Sequence, residues 1–296
     1  MPKTIPEDAI RLYDRFTHGA MDRRGFMERL AQITGSSAAA MALLPFLQND
    51  YAQANTISPD DSRLSFEEKV AIPGSDAGLN GYLVAPKGDA KRPALLVIHE
   101  NRGLNPHIRD VTRRGAVAGY LTLGIDALAP EGGTPDNEDT ARDMIGKLTS
   151  DVAAQRCAAA VRFLATHPRS TGKVGAVGFC WGGGMVNAIA TIEPQLGAGI
   201  AYYGRQAPAD RVPAIRAALM LHYASKDERI NAGIPAFEAA LKSAGKSYEL
   251  HMYEGVDHAF NNDTNAARFD ANAAKLAWDR SLAFLAKHLG APPPVG

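Results

Sequence analysis

The chain has 296 residues, 46% of them apolar and 22% charged, which is enough to bury a substantial core in one α/β domain. Its 32 basic and 32 acidic residues cancel and no Lys/Arg block stands out, so a nucleic-acid partner is disfavoured. Two cysteines, Cys157 and Cys180, are too few for a disulfide framework, and no CxxC or Cys/His spacing suggests a metal site.

Residues 1–54 read as a leader ahead of a main domain at 55–296. Arg23 and Arg24, a Phe two residues on, the ten-residue apolar stretch AAAMALLPFL and Ala52-Gln53-Ala54 follow the order of a twin-arginine export signal, which predicts a periplasmic protein. Ten apolar residues fall short of the roughly 20 that span a bilayer, so no membrane span is expected. The competing expectation is a cytoplasmic protein with a retained helical arm, because IPEDAIRLYDRF has amphipathic spacing and acids are interspersed with the bases.

From residue 60 onward, buried-strand runs alternate with helix-period segments, the pattern of a mostly parallel central sheet with helices on both faces. SFEEKVAIP and NGYLVAP form an antiparallel opening pair, followed by the strand ALLVIHE at 94–100 and a helix near 107–118. YLTLGID is the next strand, then a Gly/Pro-rich loop leads to one long helix over 139–166, ended by His167-Pro168. The strands KVGAVGF, GAGIAYYG, RAALMLHYA and SYELHMYEG follow, with helices from Trp181, over 231–244 and over 270–288.

Strand KVGAVGF, then Cys180, then a helix is the arrangement of a nucleophile elbow, a sharp turn that lifts a reactive side chain off the sheet edge. Gly178 and Gly182 flank it where a Cβ would collide, and Gly183 and Gly184 let the helix pack close. The helix N-terminus should stabilise the thiolate. A dinucleotide cradle is disfavoured, because Cys180 occupies the position of the fingerprint's second glycine. Cys157 reads as a small buried hydrophobe.

A thiol nucleophile needs a base and a group that orients the base. Asp227 and His258 each follow a strand's carboxyl end in the order acid then base, with Asp257 as the rival acid. His222 and His251 lie within strands, His18 in the leader and His167 before a proline, where packing, solvation or turns account for them. His99 and Glu100 end the strand ALLVIHE, and the backbone N–H groups of Asn101 and Trp181 are the expected oxyanion donors.

VIHENRGLNPHIRDVTRR, GKVGAVGFCWGGG, the strand-loop ending in Asp227 and YEGVDHAF together resemble the dienelactone hydrolase family over residues 65–288. The resemblance implies an α/β-hydrolase fold, a Cys-Asp-His triad of Cys180, Asp227 and His258, and a part for Glu100 in switching on the thiol. The reading that follows is a cofactor-independent hydrolase of small esters or lactones of the carboxymethylenebutenolidase type, with no metal expected, as a monomer or homodimer.

Two arginines that grip the substrate carboxylate in that family are absent, their places holding residues of APEGG, Pro130 among them, and Asn262. Arg205, with Tyr203 and Phe260, is the candidate substrate contact in their stead. The other readings are a broad-range carboxylesterase and a thiol redox sensor using Cys180.

Overall fold

The computed structural model describes residues 5–296. Three helices come first among the described residues: α1 (Glu7–Thr17), α2 (Arg23–Thr34) and α3 (Ser37–Leu47). Strands β1 (Leu64–Ala71), β2 (Asn80–Pro86) and β3 (Arg92–Ile98) lead to α4 (Pro106–Val117) and β4 (Leu121–Asp126). Then come α5 (Glu138–Lys147), α6 (Ser150–Thr166), β5 (Ser170–Phe179), α7 (Trp181–Ala190), β6 (Leu196–Tyr202) and β7 (Ala218–Ala224). Last are α8 (Glu228–Asn231), α9 (Ile234–Ser243), β8 (Tyr248–Tyr253) and α10 (Ala271–Leu289).

The eight strands form one sheet in the order β1-β2-β4-β3-β5-β6-β7-β8. The β1–β2 and β2–β4 pairs are antiparallel and every pair from β4 to β8 is parallel. Side chains alternate across a strand, and β3 shows the consequence: Ala94, Leu96 and Ile98 pack with the α6–α7 side, while Leu95 and Val97 pack with the α4–α10 side. Each such fully buried leucine or isoleucine stabilises the fold by about 1.5–3 kcal/mol, which is why the central strands read as unbroken apolar runs.

Two expected helices are each divided. The 139–166 segment breaks at Leu148, whose backbone is extended, and Thr149 caps a new start by accepting from the Val152 N–H at 3.3 Å. The 231–244 segment begins again at Ile234-Pro235, because proline suits a first helical turn, where its missing N–H costs nothing.

The opening helices have an apolar core of their own, built from Leu12, Tyr13, Phe16, Phe26, Leu30, Leu43 and Leu47 around a Phe16–Phe26 stack at 4.6 Å. Among the described residues no single helix is long and apolar enough to cross a membrane. The AAAMALLPFL stretch lies in α3, and Leu43 and Leu47 point it inward. This arm is tied to the main domain at separate points. The Arg142 guanidinium lies over the Phe16 ring at 4.6 Å, Asn265 Nδ2 donates to the Leu47 carbonyl at 2.9 Å, and Asn101 Nδ2 donates to the Thr17 carbonyl at 2.8 Å. The last of these places the end of α1 over the carboxyl edge of the sheet.

Candidate active site

β5 runs into α7 with Cys180 alone between them, held at φ 54° and ψ −112°. Such a backbone costs a non-glycine residue about 1–3 kcal/mol and persists only where its surroundings impose it. Gly178 and Gly182 make the turn possible: a Cβ on Gly178 would stand 2.1 Å from the Gly182 carbonyl oxygen, and one on Gly182 would stand 2.3 Å from the Ile98 carbonyl oxygen. Gly184 is different, since a Cβ there would meet nothing closer than 3.5 Å, so close helix packing does not require it. Tyr203, at φ 39°, and Ala259, at φ 68°, are strained neighbours of the same region.

Asp227 and His258, from the ends of β7 and β8, meet at 2.5 Å through Oδ2 and Nδ1. Asp227 also caps α8, accepting from the Ile230 N–H at 3.3 Å, so the carboxylate is fixed from two sides. The rival Asp257 turns instead toward Lys226 at 3.9 Å. His258 is buried, and its Nε2, shut off from solvent, lies within 4.8 Å of the Cys180 sulfur without a hydrogen bond of ordinary geometry among the described residues.

The thiol's hydrogen bond goes elsewhere. His18, one residue past α1, places Nε2 3.3 Å from Cys180 Sγ and sets its ring edge-on to that of His258 at 4.8 Å. Its Nδ1 lies 2.7 Å from the Asp14 carbonyl oxygen and 3.3 Å from the Asp14 carboxylate. A carbonyl only accepts, so Nδ1 carries the proton and Nε2 faces the sulfur with its lone pair when the ring is neutral. The same reasoning applies to His258 against the Asp227 carboxylate. One sulfur therefore has two imidazoles at hand, each oriented by an aspartate.

The charges are coupled accordingly. Burial on its own would raise the Cys180 pKa, but His258 and His18 outweigh it and bring the thiol down to about 6. Burial opposes protonation of His258 as well, yet Asp227 and the sulfur hold its pKa well above the ordinary histidine value. His18 is raised in the same sense by the sulfur and Asp14, against burial. Asp227 is lowered, because His258 prevails over its own desolvation. Cys157 shows the contrary case, with burial pushing its thiol up to about 12.

A lowered thiol pKa means that the reactive anion is present at neutral pH and is lost as pH falls through about 6. Alkylation of Cys180 should therefore rise with pH around a midpoint near that value and level off above it. His18→Ala should move the midpoint upward, since one of the two stabilising imidazoles is gone. A midpoint left unchanged by that substitution would deny His18 any electrostatic part.

The remaining expected residues fall into place unequally. Asn101 and Trp181 line the cleft beside Cys180, as do Tyr203 and Arg205. Phe260 does not: it is fully buried behind the site, its ring 5.5 Å from Tyr203 and 4.9 Å from Tyr253, so it supports the wall rather than contacting a ligand. Glu100 is buried and accepts from Asn262 Nδ2 at 2.9 Å. Asn262, at one of the two positions without the expected arginine, thus holds Glu100. Arg102 and Arg109, the possible salt-bridge partners of Glu100, pair with Glu138 and Glu68 instead. Pro130 lies in a short turn at Ala129–Glu131. His99 is occupied structurally, Nδ1 donating to the Glu100 carbonyl at 2.6 Å while Nε2 accepts from the Ala127 N–H at 3.3 Å. His18 is the neighbour of the thiol that sequence reasoning missed. The one hint was Asp14 four residues earlier on an amphipathic helix, a spacing that orients an imidazole.

The cleft in front of Cys180 encloses about 710 Å³ and is walled by Ile145, Leu148, Trp181, Tyr203 and Ile230. Its volume is that of a small-molecule site. Arg142, Lys147, Arg205 and Arg229 border it against one acid, Asp143. Arg142 is engaged by Asp139 and Asp143, whereas Arg205 and Arg229 form no ion pair among the described residues.

The parallel sheet, the elbow and the strand-end positions of the acid and the histidine define an α/β-hydrolase fold. A Klebsiella pneumoniae structure titled as a dienelactone hydrolase superposes with a TM-score of 0.67 at 26% identity, covering 76% of this chain and 99% of its own. The dienelactone hydrolase family model matches residues 79–289, and the chain belongs to that family. A Methylorubrum extorquens protein bearing a carboxymethylenebutenolidase name is 30% identical over 77% of this chain and 83% of its own. A Bradyrhizobium protein named as a 2-oxo-3-(5-oxofuran-2-ylidene)propanoate lactonase is 31% identical over 75% of this chain and 96% of its own. A second model, described as YqhI-like, matches residues 2–36 and so coincides with the start of the arm.

Proposed function

We propose that the protein hydrolyses small esters or lactones through Cys180, with His258 as base and acid and Asp227 orienting it. The observation that carries this reading is the aspartate–histidine pair at 2.5 Å beside a thiol held at an elbow. The Cys180 thiolate attacks the carbonyl carbon, and the amides of Asn101 and Trp181 receive the developing oxyanion. As the intermediate collapses, the C–O bond breaks and protonated His258 gives its proton to the leaving oxygen, which in a lactone stays tethered to the acyl chain. Neutral His258 then takes a proton from water, whose oxygen displaces the sulfur and releases the acid. In this reading Glu100, held by Asn262 Nδ2 at 2.9 Å, has the part in switching on the thiol that the family resemblance implies.

The ester or lactone carries an anionic group, and Arg205 holds it. The support is the surplus of cations around the cleft, with Arg205 in no ion pair among the described residues and its carbonyl held by Asn187 Nδ2 at 2.9 Å. Arg205→Ala is expected to raise KM for a carboxylate-bearing lactone about tenfold, the lower range for a charge-assisted contact, with kcat retained and neutral p-nitrophenyl esters unaffected. Equal losses on both substrate types would remove the anion site and favour a broad-range carboxylesterase. Residues 5–54 stay with the domain in this reading, supported by the arm's own apolar core and by the approach of His18 to the thiol.

A further inference from the structure

We infer that His18, Cys180 and His258 form a binding site for a zinc-class divalent ion. The sequence shows no such site because the ligands stand 162 and 78 positions apart, and only the docking of the arm brings the first to the others. Their ligand atoms lie no further than 4.8 Å from one another. Two imidazole nitrogens and a thiolate on a tetrahedral zinc ion would be about 3.5 Å apart, from bonds of about 2.0–2.1 Å to nitrogen and 2.3 Å to sulfur. The His18–Cys180 separation of 3.3 Å already suits that geometry, and the third ligand has little more than about 1 Å to close.

The outer contacts are those a metal site needs. Both histidines have Nδ1 committed, His18 to the Asp14 carbonyl and carboxylate and His258 to Asp227, so both offer Nε2. Such carboxylate–histidine pairs fix the ring and raise its basicity toward a metal. His258 Nε2 is buried without a hydrogen bond of ordinary geometry among the described residues, a cost that a bound ion would remove. Three ligands leave a fourth tetrahedral position, and the adjoining cleft, lined by His18 and Cys180, gives an entry path and room for a water. Sulfur with two imidazoles is a donor set for zinc or cobalt rather than for magnesium or calcium.

The site goes beyond the hydrolase reading and restrains it, because a metal-bound sulfur cannot attack a carbonyl. Zinc would therefore silence ester hydrolysis reversibly, and a chelator would restore it. Cobalt(II) reports the same site spectroscopically, without reference to turnover.

In chelator-stripped full-length protein, cobalt(II) should bind one per chain with a sulfur-to-cobalt charge-transfer band in the near ultraviolet, displaced by zinc. Cys180→Ser should abolish the band, His18→Gln should weaken cobalt binding at least tenfold, and Asp14→Asn should weaken it about 10–100-fold. Zinc should also slow alkylation of Cys180 in the wild type. Cobalt bound without a thiolate band, or His18→Gln binding as tightly as wild type, overturns the site. If His18→Gln does not fold, the wild type and Cys180→Ser decide by the presence or absence of the band. Because every metal readout is independent of hydrolysis, a protein that binds cobalt but turns over no ester when stripped of metal would refute the hydrolase and keep the metal site, and the reverse result would do the opposite.

Discussion

Cys180→Ala should lower kcat/KM for an aryl ester by at least about 10⁴-fold while leaving the far-ultraviolet circular dichroism and thermal midpoint near those of the wild type. The size follows from the step removed: without sulfur there is no covalent intermediate, and only the oxyanion donors and substrate binding remain. The fold should survive because the side chain is small and half-buried, and the strain of its backbone is imposed by the elbow glycines, which the substitution keeps. Steady-state kinetics on metal-free protein, with circular dichroism on the same samples, checks both halves. Alanine at 180 with turnover within tenfold of wild type would take the reaction away from the thiol.

Asp227→Asn comes next, with an expected fall in kcat of about 10³–10⁴-fold at pH 7. The carboxylate at 2.5 Å fixes the Nδ1–H tautomer of His258 and stabilises the imidazolium that forms when it takes a proton. An amide that turns its NH₂ toward Nδ1 reverses the tautomer, putting the proton on Nε2 and removing the base. His18 offers a way to separate this loss from a loss of the thiolate. In Asp227→Asn the sulfur keeps its 3.3 Å contact with His18, so alkylation of Cys180 should fall far less than turnover does. Parallel losses in both assays would mean that Asp227 acts on the thiol itself and not through His258 as a catalytic base. The corresponding Asp257→Asn should leave kcat within about threefold, since that carboxyl is directed to Lys226 rather than to the histidine.

What the sequence revealed was local. Five strands buried on both faces could be read from β3 to β7 as apolar runs, and the elbow from four glycines around Cys180, because the steric need at Gly178 and Gly182 lies within a few residues along the chain or on one adjacent strand. Order along the chain was also sufficient to nominate Asp227 and His258, but not to reject Asp257, which lies next to the histidine in sequence and yet faces away from it. That choice depends on where the ends of β7 and β8 sit side by side. His18 escaped for the same reason on a larger scale. Asp14 hints only that the imidazole is oriented; that it meets a sulfur 162 positions away follows from the docking of α1 through Asn101 and Arg142. The apolar stretch at 38–47 suited a signal segment and a helix of a small core equally, because ten apolar residues with a proline satisfy both patterns.

The central claim is that Cys180 becomes acylated, and mass spectrometry of the acid-quenched protein during turnover of an activated ester tests it most directly. One acyl group per chain should appear within the first turnover, map to the peptide containing Cys180 and be absent from Cys180→Ala at that peptide. Steady hydrolysis by the wild type with no adduct at Cys180, at quench times shorter than a turnover, would contradict the account.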